Sequence, residues 1–418
     1  MNHATIRPVM VLAMSVAISP CDGQNAPLRP TLADVLPYAG SYRAGPGQEI
    51  VIYVQPNTPM GPMLVLSDLG TDEVRVLFPA ARDSFVAGPE LVRPAPEQFA
   101  ASFVRDGTGV PSAVRLAGAW FGAGVVAQRN PVRTTALQFR NGSVSLEGTI
   151  YLPALPSRTA IVLANGSEDN DRHSFGDLPY ILANHGLVVL AYDKRGTGES
   201  GGSWQDAGLD QLADDLLAGV AALRARPDLR IDRVGIIGTS EGGWVAPLAA
   251  SRTSGIAFIA AISGGSSTKG ETFIYKDRRR AEEQGLSGAA LDSVVRSSRQ
   301  IIEASRKRVA ADSAPTGFDR RVTYDPTEDW QKFRGPILSL GGEFDVLEDA
   351  TQSADRLRRI LLDAGHGDFT IKVFPRAHHM LFVGATGLPS EFAAMRGIHS
   401  VAPGYRDVLL RWLERVAF

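Results

Sequence analysis

A serine flanked by glycines follows an apolar segment near the middle of the chain. The segment 234–237 is apolar and runs into GTSEG at 238–242, after which helix-forming residues begin. Glycines permit a tight turn from strand to helix, and such a turn leaves the hydroxyl group of Ser240 exposed above a sheet. The backbone N–H of Glu241 and the helix N-terminus can then stabilise a negatively charged oxygen. The pattern predicts that Ser240 is the nucleophile of an acyl-transfer reaction.

Two adjacent histidines are the candidates for the base that this serine needs. A serine hydroxyl is a weak nucleophile at neutral pH, so a histidine must accept its proton and a carboxylate must hold that histidine. Of the seven histidines, His378 and His379 follow the strand-like segment FTIKVF at 369–374. Successive residues of an extended segment point in opposite directions, so only one of the two can face Ser240. The spacing leaves both open, and the same geometry argues against a metal site at this pair.

The supporting carboxylate should follow another strand, between the serine and the histidines in the chain. The segment PILSLGGEFDVLED places Asp345 just after an apolar strand, and Asp345 is the predicted acid. Glu343, Glu348 and Asp349 are the competing carboxylates of the same loop. The order serine, aspartate, histidine is that of α/β-hydrolases and differs from the order in other serine-hydrolase folds. Acyl transfer by three such side chains needs no cofactor and no metal.

The elements that must position these residues begin at about residue 131. Short apolar strands alternate there with helical stretches, which indicates a parallel α/β sheet. Near-continuous apolar runs are typical of strands that are buried on both faces. Asn141-Gly142 lies between two further strands and favours a hairpin turn. The predicted buried strands are 160–164, 187–192, 234–238, 257–263, 337–341 and 369–374.

The composition is that of a globular protein with a large core. Of 418 residues, 44% are apolar and 21% are charged. The chain has 43 Lys and Arg against 45 Asp and Glu, so it lacks the basic excess that a nucleic-acid-binding protein normally shows. A single cysteine, Cys21, excludes an internal disulfide framework and a cysteine-based zinc or iron–sulfur site.

The first 25 residues have the pattern of a signal peptide. Arg7 supplies a positive charge, and the apolar run 9–18 is too short to span a membrane. This pattern predicts a secreted or periplasmic protein with no stable membrane span. The segment 18–21, which ends at Cys21, resembles a bacterial lipoprotein box, although Pro20 departs from that pattern.

Residues 30–130 are predicted to form a separate, small, mainly-β domain. Short apolar runs are separated there by Gly, Pro and Asp turns, which indicates antiparallel strands. The phrases YAGSYRAGPGQEIVI and FVRDGTGVPSAVRL resemble the lipocalin-like β-modules that precede some serine hydrolases. The segment contains no catalytic constellation. Docking of a partner, covering of an active site and a contribution to stability all stay open as its role.

From about Arg133 to Phe418 the sequence resembles an α/β-hydrolase of the secreted serine esterase and S33-like aminopeptidase group. Four segments carry the resemblance in the correct order: VLANGSEDNDRHS, YDKRGTGES, the turn around Ser240 and FPRAHHMLF. The last segment resembles the family pattern P-G-A-x-H, which implies His379 rather than His378 as the base. The first implies the N–H of Ser167, or alternatively that of Gly166, as a second oxyanion donor beside Glu241.

The resemblance also implies the layout of residues 131–418, an α/β-hydrolase domain with a mostly parallel sheet and a helical cap insertion at about 264–330. Within the cap, one amphipathic helix is indicated by Leu291, Val294, Val295, Ile301 and Ile302. Its apolar face could line a pocket for an acyl group or pack the cap onto the core. The basic clusters KDRRR and SRKR could form a solvated face or recognise a substrate carboxylate.

Three functions are compatible with these residues. The first is a carboxylesterase that takes a small-molecule ester, because esters are the least demanding substrates for such a site. The second is a serine peptidase of aminopeptidase or prolyl-peptidase type, in which Glu168, Asp169 or Glu241 would bind the free amine. The third is a non-catalytic binding protein on a hydrolase fold. The sequence carries no signature of oligomeric state.

Overall fold

The computed structural model describes residues 30–58, 60–92, 94–130 and 132–418. The predicted signal peptide, residues 1–25, and Cys21 lie outside the described residues. No helix in the described part of the chain has the length and apolar character that a membrane crossing requires.

The first unit is an antiparallel barrel. A short helix, α1 (Leu32–Val35), and a 3-10 turn (Leu36–Tyr38) precede its strands. Along the described chain these strands are β1 (Gly40–Gly45), β2 (Gln48–Gln55), β3 (Met63–Asp68), β4 (Val74–Ala81), β5 (Ser84–Ala87), β6 (Phe99–Arg105), β7 (Pro111–Gly118) and β8 (Gly122–Arg129). Each strand pairs with the next, and β1 also pairs with β8, which closes the barrel. The predicted mainly-β unit is therefore present.

Aromatic side chains fill the barrel. Tyr38, Phe85 and Phe103 pack against one another with ring centres 4.6 to 5.6 Å apart. They belong to a buried cluster that also contains Tyr42 and Phe99. The interior of an eight-stranded barrel is just wide enough for side chains to fill it. The alternation of buried and less buried residues along β6 follows from this filling, because every second side chain points inward.

The second unit is an α/β sheet. Its strands in the described chain are β9 (Arg133–Asn141), β10 (Val144–Leu152), β11 (Thr159–Ala164), β12 (Val188–Tyr192), β13 (Arg233–Thr239), β14 (Phe258–Ile262), β15 (Ile337–Gly342) and β16 (Phe369–Phe374). The order across the sheet is β16-β15-β14-β13-β11-β12-β10-β9. Neighbouring strands from β16 to β12 are parallel. The sequence predicts a mostly parallel sheet; the sheet as a whole is mixed, because the hairpin of β9 and β10 adds antiparallel pairings at one edge.

Helices cover both faces of this sheet. In chain order the described helices are α2 (Leu178–Asn184), α3 (Leu209–Arg224), α4 (Gly242–Ala250), α5 (Lys269–Glu283), α6 (Gly288–Ala310), α7 (Gly317–Val322), α8 (Thr327–Lys332), α9 (Ala350–Asp363), α10 (Pro389–Ala394) and α11 (Tyr405–Ala417). One buried cluster joins the sheet to α3, α4, α8 and α9, and the other joins it to α2 and α11. Strands β11 and β14 are consequently buried along their whole length, as their apolar sequences require.

Helices α5 to α8 are inserted between β14 and β15 and form a cap. The apolar stripe of α6 packs the cap together, since Ile302 is buried and lies against Gly270 of α5. Ile301, the next residue, is exposed to solvent. A helix turns by about 100° per residue, so two adjacent apolar residues cannot both lie at the centre of one stripe.

The barrel is joined to the α/β unit through Arg406 of α11. This buried guanidinium donates hydrogen bonds to Asp72 (2.9 Å) and Asp177 (2.7 Å), and it also contacts the hydroxyl of Ser67. Close by, the segment 399–401 pairs antiparallel with the residues at the start of β4. Val74 N–H donates to the carbonyl of His399 at 2.6 Å, and Val401 N–H donates to the carbonyl of Asp72 at 3.0 Å.

Replacing Arg406 by leucine should lower the free energy of unfolding by about 3 kcal/mol, because two carboxylates would lose the cation that compensates their burial. Urea unfolding followed by circular dichroism measures the change. The matched control is Arg411→Leu on the same helix, where the arginine is exposed and lies 3.9 Å from Asp407. That change should stay within about 0.5 kcal/mol. Equal effects of the two substitutions would contradict the role given to Arg406.

Candidate active site

Ser240 lies on the turn between β13 and α4 in a conformation that ordinary residues seldom adopt. Its φ is +51°, in the left-handed region. The turn is held on both sides, because Ser240 N–H donates to the carbonyl of Ile262 (2.8 Å) and the Ser240 carbonyl accepts from Gly243 N–H (2.8 Å). Such strain persists only where the surroundings fix it, and it occurs often at functional sites.

The glycines on either side of Ser240 are required by close backbone contacts. A Cβ on Gly238 would lie 2.1 Å from the carbonyl oxygen of Gly242. A Cβ on Gly242 would lie 2.1 Å from the carbonyl oxygen of Ala164 at the end of β11. Only glycine allows the helix to start this close to two strands, which is why the serine stands above the sheet.

Ser240, His379 and Asp345 form a continuous chain of hydrogen bonds. The distance from Ser240 Oγ to His379 Nε2 is 2.9 Å, and the distance from His379 Nδ1 to Asp345 Oδ2 is 2.7 Å. Asp345 follows β15 and His379 follows β16, so the carboxyl ends of parallel strands bring the three together. A carboxylate can only accept, so Nδ1 carries the proton and Nε2 is left to accept from the serine. Burial disfavours the charged imidazole, but Asp345 outweighs this effect and raises the pKa of His379.

Asp345 is fixed from the other side by its own loop. Its Oδ1 accepts hydrogen bonds from the N–H groups of Leu347 (2.8 Å) and Glu348 (3.1 Å), which leaves Oδ2 for the imidazole. Two of the competing carboxylates face elsewhere. Glu343 accepts from Arg376 N–H (2.8 Å), and Asp349 caps α9 by accepting from the N–H of Gln352 (2.9 Å).

His378 points away from Ser240. Its Nε2 lies 3.2 Å from Glu391, and its Nδ1 lies 3.2 Å from the carbonyl oxygen of Phe344. Three backbone N–H groups and a threonine hydroxyl also donate to Glu391, and despite its burial they lower the pKa of Glu391 to about 2. His378 therefore fastens the loop after β16, and the alternation expected of neighbouring residues holds here.

The backbone beside Ser240 offers N–H groups for an oxyanion. Within the described residues, neither Glu241 N–H nor Ser167 N–H has a hydrogen-bond acceptor. The loop after β11 passes close to the serine, since a Cβ on Gly166 would lie 3.4 Å from the Cβ of Ser240. Asn165 ties this loop to β12 by donating to the carbonyl of Tyr192 (2.8 Å). Glu168 adopts a φ of +68°, the conformation for which glycine is better suited.

A group of charged side chains beside the serine was not predicted from the sequence. The carboxylate of Glu241 is buried, and its Oε2 lies 3.5 Å from Lys269 and 3.9 Å from Arg321 of the cap. Lys194 is a third cation of this group, and its Nζ donates to the carbonyl of Gly166 at 2.8 Å. Burial alone would raise the pKa of Glu241, yet the three cations together hold it below its usual value.

Glu348 is a second buried carboxyl group beside Asp345 and His379. It accepts from the hydroxyl of Ser353 at 2.6 Å and from Ser267 N–H at 3.4 Å. Burial raises the pKa of Glu348 to about 7, and the charge of Asp345 adds to this effect. From the sequence, Glu348 is only an alternative to Asp345, whereas the structure places it beside that residue.

Replacing Glu348 by glutamine should change how stability depends on pH. The folded protein holds the Glu348 proton up to about pH 7, while the unfolded chain releases it near the ordinary value of 4.5. The stability of the wild type should therefore decrease as the pH rises between these values, and the Gln variant should lack this decrease. By pH 8 the difference should reach about 3 kcal/mol in favour of the variant, relative to pH 4. Urea unfolding at both pH values measures it, and identical pH dependences would contradict the assignment.

The fold and the arrangement at Ser240 define the class of protein. The sheet is mixed with parallel central strands, a strained serine lies between β13 and α4, and a histidine and an aspartate lie on later loops. These features define an α/β-hydrolase of the serine esterase and peptidase group. The sequence profile of the family described as X-Pro dipeptidyl-peptidase (S15 family) matches residues 122–357, more than half of the chain. The chain belongs to this family. The resemblance to α/β-hydrolases seen in the sequence is thereby confirmed.

Individual relatives include both esterases and a peptidase. Esterase EstD of Thermotoga maritima is 26% identical over 276 residues, which are 61% of this chain. The chain matches 62% of the length of that curated relative. A solved esterase of Pyrococcus furiosus has a TM-score of 0.47 at 17% identity, covering 69% of this chain and 92% of its own. Proline iminopeptidase of Mycobacterium smegmatis has a TM-score of 0.44 at 18% identity, covering 68% of this chain and 99% of its own.

Proposed function

We propose that this chain hydrolyses carboxylic esters through an acyl-enzyme on Ser240. The observation that carries the proposal is the hydrogen-bonded chain from Ser240 Oγ through His379 to Asp345, at 2.9 and 2.7 Å. As the serine oxygen attacks the ester carbonyl, His379 Nε2 takes the hydroxyl proton. Asp345 stabilises the imidazolium that forms and keeps the ring in the required orientation.

The negative charge of the tetrahedral intermediate would be bound by backbone N–H groups. Glu241 N–H is one donor, and Ser167 N–H is the second. The intermediate collapses when the bond to the alcohol oxygen breaks and His379 returns its proton to that oxygen. Water then attacks the acyl-enzyme with His379 as the base, which releases the carboxylic acid and restores the Ser240 hydroxyl.

The charges beside Ser240 favour an ester over a peptide with a free amino terminus. A peptidase that removes N-terminal residues needs a carboxylate to bind the substrate ammonium group. Glu241 is the buried carboxylate next to the serine, but three cations already surround it. Glu168 and Asp169 are exposed to solvent, where a single charge contributes little to binding. Membership of the S15 family keeps X-Pro peptidase activity as the second candidate.

Two chromogenic substrates separate these functions. 4-Nitrophenyl butyrate reports ester hydrolysis, and Ala-Pro-4-nitroanilide reports X-Pro peptidase activity. We expect kcat/KM for the ester to exceed that for the anilide by at least about 100-fold, a difference of about 2.7 kcal/mol in transition-state stabilisation. Preference for the anilide would establish the peptidase, and turnover of neither would favour a binding protein without catalytic activity.

We further propose that the protein is exported. The supporting observation is the sequence pattern of residues 1–25, with Arg7 before the apolar run 9–18. Expression of the full chain in a Gram-negative host, followed by N-terminal sequencing of the periplasmic protein, tests this. A mature protein that still begins at Met1 and stays in the cytoplasm would contradict it.

A further inference from the structure

Helix α5 of the cap lies over the proposed catalytic residues. The hydroxyl of Tyr275 donates to the backbone carbonyl of Asp345 at 3.1 Å, and Arg279 donates to the carbonyl of Gly387 at 3.2 Å. These bonds fasten one side of the helix to the loops that follow β15 and β16. Lys269 and Lys276 are seven residues apart and therefore lie on one stripe of the helix, separated by two turns.

Lys269 is the residue of this stripe that lies beside the proposed active site. Its Nζ lies 3.5 Å from Glu241 Oε2 and 4.5 Å from the centre of the Trp244 ring. It is also close enough to His379 to disfavour the charged imidazole and so to lower the pKa of that group, although the net pKa is raised. The stripe thus begins beside the reacting groups, at Lys269.

Lys276 has no carboxylate at ion-pair distance among the described residues. It is partly buried, and its Nζ lies 5.5 Å from the centre of the Phe273 ring. The neighbouring Asp277 accepts a hydrogen bond from Ser298 (2.7 Å) on the other side of the helix. The acidic group toward the loop after β11 is the exposed Glu168. Burial lowers the pKa of Lys276, and the positive charges of Arg280 and Lys269 add to that effect.

The group of side chains around Glu241, which includes Lys269, carries more positive than negative charge. Lys194, Lys269 and Arg321 surround Glu241; Lys194 and Glu241 are buried, and Lys269 and Arg321 are partly buried. Lys194 and Arg321 both lie against the ring of Trp204, at 4.6 and 5.5 Å from its centre. Three cations share this one carboxylate, and even partial burial of the excess positive charge is unfavourable, so binding of an anion here would recover part of that cost.

We propose that the substrate carries a negatively charged group, such as a carboxylate, and that Lys276 binds this group. Lys269, two turns away on the same stripe and beside Glu241, adds a second positive charge. The inference rests on the proposed ester hydrolysis at Ser240 and names its substrate class, esters with a free acid group. The anion can belong to the acyl part, as in a monoester of a dicarboxylic acid, or to the alcohol part. The geometry of a lysine, a compact point charge on a flexible chain, suits either source.

Two pairs of substrates that differ only in charge test the proposal. The first pair is the 4-nitrophenyl monoester of glutaric acid and its terminal amide, in which the charge lies on the acyl part. The second pair is 4-butyryloxybenzoate and 4-butyryloxybenzamide, in which it lies on the alcohol part. We expect the charged member of one pair to have the higher kcat/KM by at least about 10-fold, and we expect added salt to reduce that ratio. Ratios of one or below in both pairs would overturn the proposal.

Variants of α5 identify the residue. Lys276→Gln should reduce the ratio of the preferred pair to about 1 to 2, whereas Lys276→Arg should keep it because the charge is retained. The matched control is Arg280→Gln, one turn further along, where the exposed side chain loses the same charge and the ratio should persist. The ratio is internal to each preparation, so a smaller fraction of folded protein does not change it. An unchanged ratio in Lys276→Gln would overturn the assignment. Absence of Ser240-dependent turnover of all four esters would instead overturn the proposed function, and this inference with it.

Discussion

Replacing Ser240 by alanine is expected to lower kcat/KM for 4-nitrophenyl butyrate by about 10⁵-fold or more. The alanine side chain has no oxygen to form the acyl-enzyme, and the remaining groups can only assist direct attack by water. Removal of the serine from such a unit costs about as much as removal of the whole unit, because histidine and aspartate act through it. Labelling with a fluorophosphonate probe should be lost at the same time.

The control for this experiment is Ser157→Ala in the loop between β10 and β11. That hydroxyl lies 3.3 Å from the N–H of Thr159 and has no part in the proposed mechanism. Activity and labelling should stay within about two-fold of the wild type, as is usual for substitutions away from buried or functional features. A Ser240→Ala protein that keeps its activity and its labelling would rule out Ser240 as the nucleophile.

Replacing His379 by alanine is expected to lower kcat/KM by about 10⁴- to 10⁶-fold, while His378→Ala should keep at least about a tenth of the activity. The two side chains are adjacent, but His379 Nε2 lies 2.9 Å from Ser240 Oγ and His378 is bonded to Glu391 and Phe344. Loss of His378 should therefore appear as a lower melting temperature, because the loop after β16 loses the contacts of this buried imidazole with Glu391 and Phe344. Activity assays and thermal unfolding of both variants measure the contrast.

The pH profile of the wild-type activity is a second, independent test of His379. Asp345 raises the pKa of His379 in spite of its burial, so the imidazole must lose its proton at a pH above the usual value of 6.5 before it can act as a base. We therefore expect kcat/KM to increase with pH through a midpoint above 6.5. Equal and mild losses in the two histidine variants, or a midpoint well below 6.5, would place the base elsewhere.

The local part of this site could be predicted because the requirements are local. A strand, two glycines around Ser240 and a helix-forming stretch are adjacent in the sequence, and the backbone contacts at Gly238 and Gly242 explain why no other residue serves there. Asp345 follows its strand directly. The choice between His378 and His379 depends on which side of one extended segment faces Ser240, and residue types alone do not determine this.

The charged surroundings of the site could not be predicted in the same way. Glu241 meets Lys269 and Arg321 only because the cap folds back over the turn after β13, and nothing in the intervening sequence fixes that distance. Lys276 belongs to the basic cluster KDRRR, and the sequence leaves open whether this cluster is a solvated face or recognises a substrate carboxylate, because residue types do not show where the helix lies. The edge hairpin of β9 and β10 shows the same limit, since Asn141-Gly142 predicts a turn but not the antiparallel pairing of β10 with β12.

The segment 399–401, which contacts barrel strand β4, also contacts the loop that carries His379. Val401 is bridged to Phe382, and Ala402 N–H donates to the carbonyl of Leu381 at 2.7 Å, two residues after His379. Main-chain hydrogen bonds therefore connect the barrel, through segment 399–401, to the loop that carries His379. A transfer of this barrel to another hydrolase would have to include segment 381–401. Deletion of the barrel would leave backbone groups of segment 399–401 without their partners, beside the loop of the proposed catalytic histidine.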